Sequence, residues 1–282
     1  MGHHFVPQFY LRGFEADGGI WAHDFQRRIS FASQVKTIAN ETKLYSEKLE
    51  MRLAEQIEEP ANSALLKLRT REVITLEEKL ALARYIIVLW KRVPKARQRA
   101  LDRLPQVADE VQTELEAELD ALSLAEPAKK AHYEKLKVRA AEAIAQQKAN
   151  PAADLWHGSI ESQSGFKLDQ ALLSMNWVFL YSEKMQFLTS DNPVFFFEFE
   201  GISKPTSELT FPISSNVCLW ATRTQAPSGE FLQASTAAIK EINRRTAQSS
   251  HRWVYSKSNE KWVLPFVLKK DWPLSRLSLA GP

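Results

Sequence analysis

The feature that most constrains the fold is a change in the spacing of apolar residues near residue 150. From about Ser46 to Ala149 apolar residues recur at helical intervals, and beyond that point they form short runs separated by turn residues. A helix carries an apolar stripe with a period of 3.6 residues, whereas strands are short apolar or alternating runs. The chain is therefore predicted to be an α+β protein, in which a helical middle packs against a mostly antiparallel sheet from the C-terminal half.

Two helices open the helical middle. On the first, apolar residues recur every four positions, at Leu49, Leu53, Ile57 and Ala61. The second begins at the capping-box pattern Thr-Leu-Glu-Glu of residues 75–78. Its apolar residues alternate spacings of four and three, at Leu76, Leu80, Ala83, Ile87 and Trp90. Further apolar residues widen that face, so we expect this second helix to be central to the core.

The segment from about 105 to 149 is predicted to form a long helical hairpin. Its first arm is strongly acidic and carries a narrow apolar stripe, made of Val107, Val111, Leu115, Leu119 and Leu122. The turn falls at 123–127, and the second arm is rich in alanine and lysine. A hairpin of this kind exposes much surface, so the acidic residues are expected to be solvated. The stripe could serve a homo-oligomer or a partner protein.

Short apolar runs after residue 175 predict the strands of the sheet. These runs are 177–181, 187–189, 194–197, 209–220, 252–256 and 262–268, with a helix at 235–247. A small hairpin is predicted earlier in the chain, from the alternating segments 19–25 and 29–32. His23 and Asp24 lie near its bend and are expected to be solvated turn residues.

Composition places the chain among ordinary globular proteins. Its 282 residues are 44% hydrophobic and 25% charged, which excludes a disordered or membrane-spanning chain. The net charge of +3 is too small to require nucleic acid, so any phosphate recognition would need a local cluster. We expect a single elaborate domain, 1–282, in the cytoplasm and with no membrane partner. The lone cysteine, Cys218, lies in an apolar run and is expected to be buried.

A dense polar and aromatic motif at residues 3–14 is the first candidate site. It reads His-His-Phe-Val-Pro-Gln-Phe-Tyr-Leu-Arg-Gly-Phe. Pro7 suits the first turn of a helix and Gly13 suits its end, so a short helix is predicted over 7–12. The positive end of that helix would keep the two histidines neutral, able to bind a metal ion or accept a proton. Alternatively, the histidines could only hydrogen-bond in a capping turn.

Two further polar clusters could share a site with those histidines. Positive charge is concentrated where Pro94 should end the central helix, and this cluster forms either an anion clamp or a solvated basic face. Its residues are Lys91, Arg92, Lys95, Arg97 and Arg99. The motif Thr-Ser-Asp-Asn-Pro interrupts two apolar runs and could be an Asx-turn, in which Asp191 binds only backbone amides. With the histidines and Glu58, however, Asp191 would complete a ligand set suited to Mg²⁺ or Mn²⁺.

The opening motif resembles the signature of the family catalogued as domain of unknown function 4238, a largely bacterial group. Later segments resemble that family's landmarks in the same order, namely Asn40-Glu41 with Tyr45, Ile57-Glu58, residues 92–97, residues 189–193, and Asn243 before Tyr255-Ser256. The resemblance spans nearly the whole chain. It implies no particular reaction, but it singles out Arg92 and Arg97 and makes a toxin or phage-defence effector a candidate role.

Two functions from different classes remain open. The first is a metal-dependent hydrolase that acts on phosphodiesters, such as a nuclease, with the metal held by His4, Glu58 and Asp191. Gln8 would orient the attacking water, Asn192 would belong to the same catalytic set, and Arg92 and Arg97 would stabilise the phosphate. The second is a non-catalytic binding or assembly protein, in which the opening motif is a structural plug. Convergence of the three metal ligands in one cleft favours the first, and an Asp191 sealed in a backbone turn favours the second.

Overall fold

The structure is a computed structural model that describes residues 2–42, 44, 46–151, 155–161, 165–197, 200–226, 231–269 and 271–278. Its strands are β1 (Gly2–His4), β2 (Ile20–Asp24), β3 (Ile29–Ser33), β4 (Asn40–Thr42), β5 (Asn176–Tyr181), β6 (Thr189–Ser190), β7 (Phe195–Phe196), β8 (Glu208–Ser214), β9 (Val217–Thr222), β10 (Phe231–Gln233) and β11 (Trp253–Ser256). Its α-helices are α1 (Gln8–Leu11), α2 (Glu47–Leu53), α3 (Glu59–Arg69), α4 (Leu76–Arg92), α5 (Pro94–Ala125), α6 (Lys130–Ala149), α7 (Leu155–Glu161), α8 (Gly165–Leu173), α9 (Thr236–Ser249) and α10 (Val263–Lys269). The predicted α+β class is confirmed.

The larger sheet has the order β10-β5-β9-β8-β7 among the described residues. Its pairs are antiparallel except β10 with β5, and the predicted run 209–220 is a hairpin of two strands. One face packs against α9 through Val178, Cys218 and Trp220. The other face meets α1 and α4, because Phe211 lies 5.1 Å from the ring of Tyr10 and 6.3 Å from that of Tyr85. Cys218 is a buried free thiol, as expected.

The smaller sheet has the order β3-β2-β11-β6 among the described residues and contains the predicted hairpin of β2 and β3. The expectation that His23 and Asp24 are solvated turn residues is wrong, since both are fully buried. Asp24 accepts hydrogen bonds from the Arg252 guanidinium and from the amides that follow it in the turn. His23 contacts the hydroxyls of Ser30 and Ser256 at 2.7 and 2.8 Å.

Acid is expected to destabilise the protein through His23. Burial lowers the pKa of His23 to about 4, so the folded state keeps the ring neutral while the unfolded chain protonates below the usual pKa of 6.5. The stabilising contribution is complete above pH 6.5 and is lost as the pH falls towards 4, where it amounts to about 3 kcal/mol. Urea unfolding at pH 7 and pH 4 should show this loss in the wild type and in the exposed-site control His132→Gln, but not in His23→Gln. If His23→Gln loses as much stability between pH 7 and pH 4 as the wild type does, His23 is not the cause of the acid destabilisation.

Helix α4 lies in the core, as its wide apolar face predicts. The capping box is present, with Thr75 accepting from the Glu78 amide and Glu78 accepting from the Thr75 amide. The face of α4 that is buried differs from the predicted stripe. Leu76 is 80% exposed, and Trp90 is only partly buried against Phe196. The buried residues are Leu82, Ala83, Tyr85, Ile86, Ile87, Leu89, Lys91 and Arg92.

The predicted strand at 262–268 is wrong, since this run forms helix α10. Val263 and Val267 are four residues apart, which places both on one helical face. They pack with Leu188, Ala247 and Val254 in a core between α9 and the smaller sheet. A short continuous apolar run does not distinguish a strand from a buried helix, which explains the error.

Residues 96–160 form a compact unit that is distinct from the unit of residues 1–95 and 161–282. Within it, α5 and α6 form the predicted helical hairpin. Lys137 pairs with Asp120 near the turn and Lys148 pairs with Asp109 farther from it, so the helices run antiparallel. Of the predicted stripe, Leu119 is buried, whereas Val107 and Val111 are 46% and 47% exposed. Within the described part of the chain, no helix is both long enough and apolar enough to cross a membrane.

Candidate functional site

The opening histidines lie in a strand and not at the start of a helix. Strand β1 pairs antiparallel with β4, so that His3 faces Glu41 and His4 faces Asn40 in the register. The amide of Phe5 extends this pairing by donating to the carbonyl of Ala39. The predicted helix is shorter, with Pro7 as its N-terminal flanking residue. The helix dipole is therefore not what controls the protonation of His4.

The aromatic part of the motif is a buried plug. Tyr10 is fully buried, and its hydroxyl donates to the carbonyl of Pro212 and contacts the Thr189 hydroxyl. Arg69, which the sequence did not single out, donates to the carbonyls of Phe9 and Tyr10 at the end of α1. Gly13 does not simply end a helix. A Cβ at this position would lie 2.6 Å from the carbonyl oxygen of Ile213, so the close approach of the two backbones requires glycine.

Glu58 lies at the end of a π-helical turn, Ala54–Glu58, between α2 and α3. Pro60 follows in the first turn of α3 and has no N–H to donate to the carbonyl four residues earlier. The missing α-helical bond explains why the helix widens at this point. The widened turn places Glu58 beside the end of α4.

Arg92 joins the opening strand to this widened turn. Its guanidinium donates to the Glu58 carboxylate and to the backbone carbonyl of His4. The Arg92 side chain is 1% exposed and that of Glu58 is 19% exposed. A buried charge has to be paired, so Arg92 and Glu58 stabilise one another in a fixed position. The predicted proximity of His4, Glu58 and Arg92 therefore occurs in the structure.

The surroundings of the His4 ring lower its pKa and so favour its neutral form. Desolvation lowers its pKa and the Arg92 charge acts in the same direction, against the opposing effects of backbone hydrogen bonding at Lys36 and of the Glu58 charge. Nε2 is buried and has no hydrogen-bond partner among the described residues. The backbone contact therefore falls to Nδ1, which leaves Nε2 as the nitrogen able to accept a proton.

Two more residues belong to the same neighbourhood. Burial raises the pKa of Glu50, although the nearby Arg92 charge opposes the shift, so Glu50 retains its proton to a higher pH than usual. Glu50 Oε2 and the hydroxyl of Tyr85 are buried without a hydrogen-bond partner in the part of the chain that the structure describes. We call His4, Glu50, Glu58, Tyr85 and Arg92 the His4 cluster. The only sequence signal for Glu50 was its place next to Leu49 on the apolar stripe of the first helix.

The structure does not bring Asp191 to the metal site predicted for His4, Glu58 and Asp191. Asp191 is 1% exposed, and its two oxygens accept hydrogen bonds of 2.7–2.8 Å from the amides of 251–253. No group of three or more His, Cys, Asp or Glu side chains in the described ranges could hold a metal ion. The predicted Mg²⁺ or Mn²⁺ ligand set is therefore not assembled, because backbone amides occupy the carboxylate.

Asn192 is likewise a structural residue and not part of the His4 cluster. It is 2% exposed, its side-chain amide donates to the carbonyl of Ser249, and its backbone amide donates to the Ser190 hydroxyl. Burial raises the pKa of Asp191, while the three amide donors act in the opposite direction. The motif Thr-Ser-Asp-Asn-Pro thus holds the edge of the smaller sheet against the end of α9.

Replacing Asp191 with asparagine is expected to destabilise the fold by about 1–3 kcal/mol, because one side-chain amide would face backbone N–H donors. Urea unfolding measures this loss, with Asp17→Asn at an exposed turn as the matched control. Since Asp191 is not a ligand in this arrangement, Mg²⁺, Mn²⁺ or Zn²⁺ should shift the midpoints of wild type and variant equally. A metal-dependent shift in the wild type that Asp191→Asn removes would contradict this assignment.

The remaining predicted residues are placed as follows. Gln8 is the first residue of α1 and is partly buried. Arg97 is exposed on α5 in the unit of residues 96–160. Tyr45, a landmark of the resemblance, lies outside the described residues. Glu41 is exposed in β4.

Comparison with known proteins identifies the family. A family model described as "Protein of unknown function (DUF4238)" matches residues 2–260, and the chain therefore belongs to that family. No curated protein matches. No solved structure matches either.

Proposed function

We propose that this member of the DUF4238 family is a hydrolase that cleaves phosphodiesters by acid–base chemistry at the His4 cluster. One observation carries the proposal. A histidine whose pKa is lowered and a glutamate whose pKa is raised share the field of one Arg92–Glu58 pair. Opposite shifts of this kind favour a neutral base and a protonated acid in the same site.

In this proposal His4 Nε2 takes the proton of the attacking water or hydroxyl, and Glu50 donates a proton to the leaving oxygen. Both atoms needed for these steps, His4 Nε2 and Glu50 Oε2, have no competing partner among the described residues. Tyr85 provides a further unpaired hydroxyl that can donate to substrate oxygen. Gln8 stays a candidate for orienting the nucleophile.

The positive charge of Arg92 favours an anionic substrate. We therefore propose phosphodiesters as the substrate class. The guanidinium is buried and paired, so its role would be electrostatic at short range and not a direct clamp on phosphate. Glu58 holds it in position. No step of this proposal passes through a metal ion, since Asp191 is engaged by backbone amides.

The test is cleavage of fluorogenic RNA and DNA oligonucleotides and of bis(p-nitrophenyl) phosphate by the purified chain, with and without EDTA. Turnover that persists in EDTA supports the proposal. No turnover of any of these substrates, or activity abolished by EDTA and restored by Mg²⁺ or Mn²⁺, would reject it.

The role of a toxin or phage-defence effector rests on the family resemblance alone. Growth of cells that express wild type or His4→Ala tests that role.

A second candidate function is non-catalytic assembly, which three observations favour: the Asp191 carboxylate sealed by backbone amides, the buried plug, and the exposed apolar row on α5. Val107, Val111 and Leu122 lie on one stripe and are each more than a third exposed, which is typical of a surface that a partner covers. Light scattering distinguishes the two functions. A wild-type oligomer that Val111→Lys converts to a monomer, in a chain without phosphodiesterase activity, would favour assembly.

A further inference from the structure

A cavity of about 360 Å³ lies between α9, α10 and the segment that follows α10. One wall is aromatic and consists of Trp262, Phe266 and Trp272. The other wall carries Lys240 and Arg244, which are four residues apart and therefore on one face of α9. A volume of this size and a mostly apolar lining with few polar groups are typical of small-molecule sites.

The aromatic wall is built from rings in contact. Phe266 stacks against Trp272 with centroids 5.4 Å apart and an angle of 29° between the rings. Trp262 meets Phe266 nearly at right angles, at 5.6 Å. The segment after Trp272 is fixed because Glu241 accepts from the Ser275 amide and Glu208 accepts from the Leu277 amide. These two backbone hydrogen bonds keep Trp272 at the cavity without using its indole N–H.

Two buried donors in the cavity lining lack acceptors. Arg244 Nε and Trp272 Nε1 are inaccessible to solvent and have no hydrogen-bond partner among the described residues. Buried donors are normally satisfied, so this pair indicates an acceptor-rich ligand. Arg244 also lies over the Trp272 ring at 5.0 Å, and its ion pair with Glu241 is a long one of 3.4 Å, shared with Arg245. With Lys240 exposed beside it, this wall remains positively charged.

We propose that this cavity binds a planar aromatic ligand that carries an anionic group, the chemistry shared by nucleoside monophosphates and aromatic carboxylates. The ring packs against the aromatic wall, and the anionic group lies between Lys240 and Arg244. This site uses none of the residues of the His4 cluster. If the cavity binds no ligand, the proposed hydrolase activity is therefore unaffected. If the His4 cluster has no hydrolase activity, the proposed ligand site is likewise unaffected.

Calorimetric titration of the whole chain with adenosine 5′-monophosphate and, separately, with indole-3-acetate tests the proposal and distinguishes the two ligand sources. We expect one of them to bind with a Kd below about 1 mM, and adenosine or inorganic phosphate alone to bind at least about tenfold more weakly. Arg244→Gln should weaken binding of the anionic ligand about tenfold and leave adenosine unchanged. Lys204→Gln, an exposed lysine outside the cavity, is the matched control and should bind as the wild type does.

A second readout follows ligand binding in the wild-type chain, so it does not depend on how well Arg244→Gln folds. The indole N–H signal of Trp272, assigned by its loss in Trp272→Phe, should shift in the wild-type NMR spectrum as the ligand is added. The proposal is overturned if neither aromatic anion gives heat or shifts this signal at about 10 mM. Binding that Arg244→Gln leaves unchanged, or that inorganic phosphate reproduces in full, also overturns it.

Discussion

Replacing His4 with glutamine is expected to lower kcat for phosphodiester cleavage by about 10²–10⁴-fold, the usual contribution of a positioned general base. Glutamine can still hydrogen-bond to the backbone near Lys36, but it cannot take a proton. Glu50→Gln should give a loss of the same order, because its amide cannot protonate the leaving oxygen. Steady-state kinetics on the fluorogenic oligonucleotide measures both effects.

The pH profile separates a catalytic role from a structural one. The wild-type rate should fall in acid as His4 becomes protonated, below its usual pKa of 6.5 because that pKa is lowered. It should fall in alkali as Glu50 loses its proton, above its usual pKa of 4.5 because that pKa is raised. His4→Gln should remove the acid limb and Glu50→Gln the alkaline limb. The exposed controls His132→Gln and Glu142→Gln should keep both limbs and the wild-type rate.

A different result would reject the assignment of these roles. If His4→Gln and Glu50→Gln change the rate less than about threefold while both limbs persist, the titrating groups are elsewhere. If the variants lose activity only in proportion to lost folded protein, as circular dichroism and thermal melting would report, the His4 cluster is structural. The plug interpretation would then account for the opening motif.

Arg92→Met is expected to destabilise the fold by about 3–5 kcal/mol, because it leaves the Glu58 carboxylate and the His4 carbonyl without their common partner in a buried place. Methionine has a similar length, so lost packing is a small part of the effect. Lys48→Met on the exposed face of α2 is the matched control and should lie within about 0.5 kcal/mol of the wild type. Urea unfolding measures both.

A double variant tests whether the cost of Arg92→Met comes from the charge left on Glu58. In the Arg92→Met background, Glu58→Gln should recover about 0.5–3 kcal/mol, the range measured for directly interacting pairs. The same substitution in the wild type should be destabilising, since it weakens the pair. A loss below about 1 kcal/mol for Arg92→Met would show that the guanidinium is not a structural partner of Glu58. It would return Arg92 to the role of an anion clamp.

The sequence alone determined the elements whose signals are local. The capping box at Thr75 and Glu78, the hairpin of β2 and β3, the helical hairpin of α5 and α6, and the α+β class all follow from residues within a few positions of one another. Capping, turn formation and amphipathic spacing depend on such neighbours, so they can be read before the fold is known. The one helix mistaken for a strand, α10, is a short apolar run in which this local signal is ambiguous.

Tertiary structure alone decided which polar residues share a site. Glu50 and Tyr85 carry no motif and enter the His4 cluster because α2 and α4 place them near the Arg92–Glu58 pair. Asp191 has a conspicuous motif, yet the amides of 251–253 occupy its carboxylate. His23 was expected in solvent and is buried by β11. These outcomes depend on contacts between residues far apart in the chain, and on which polar atoms remain unpaired after packing, and neither quantity is encoded by local spacing.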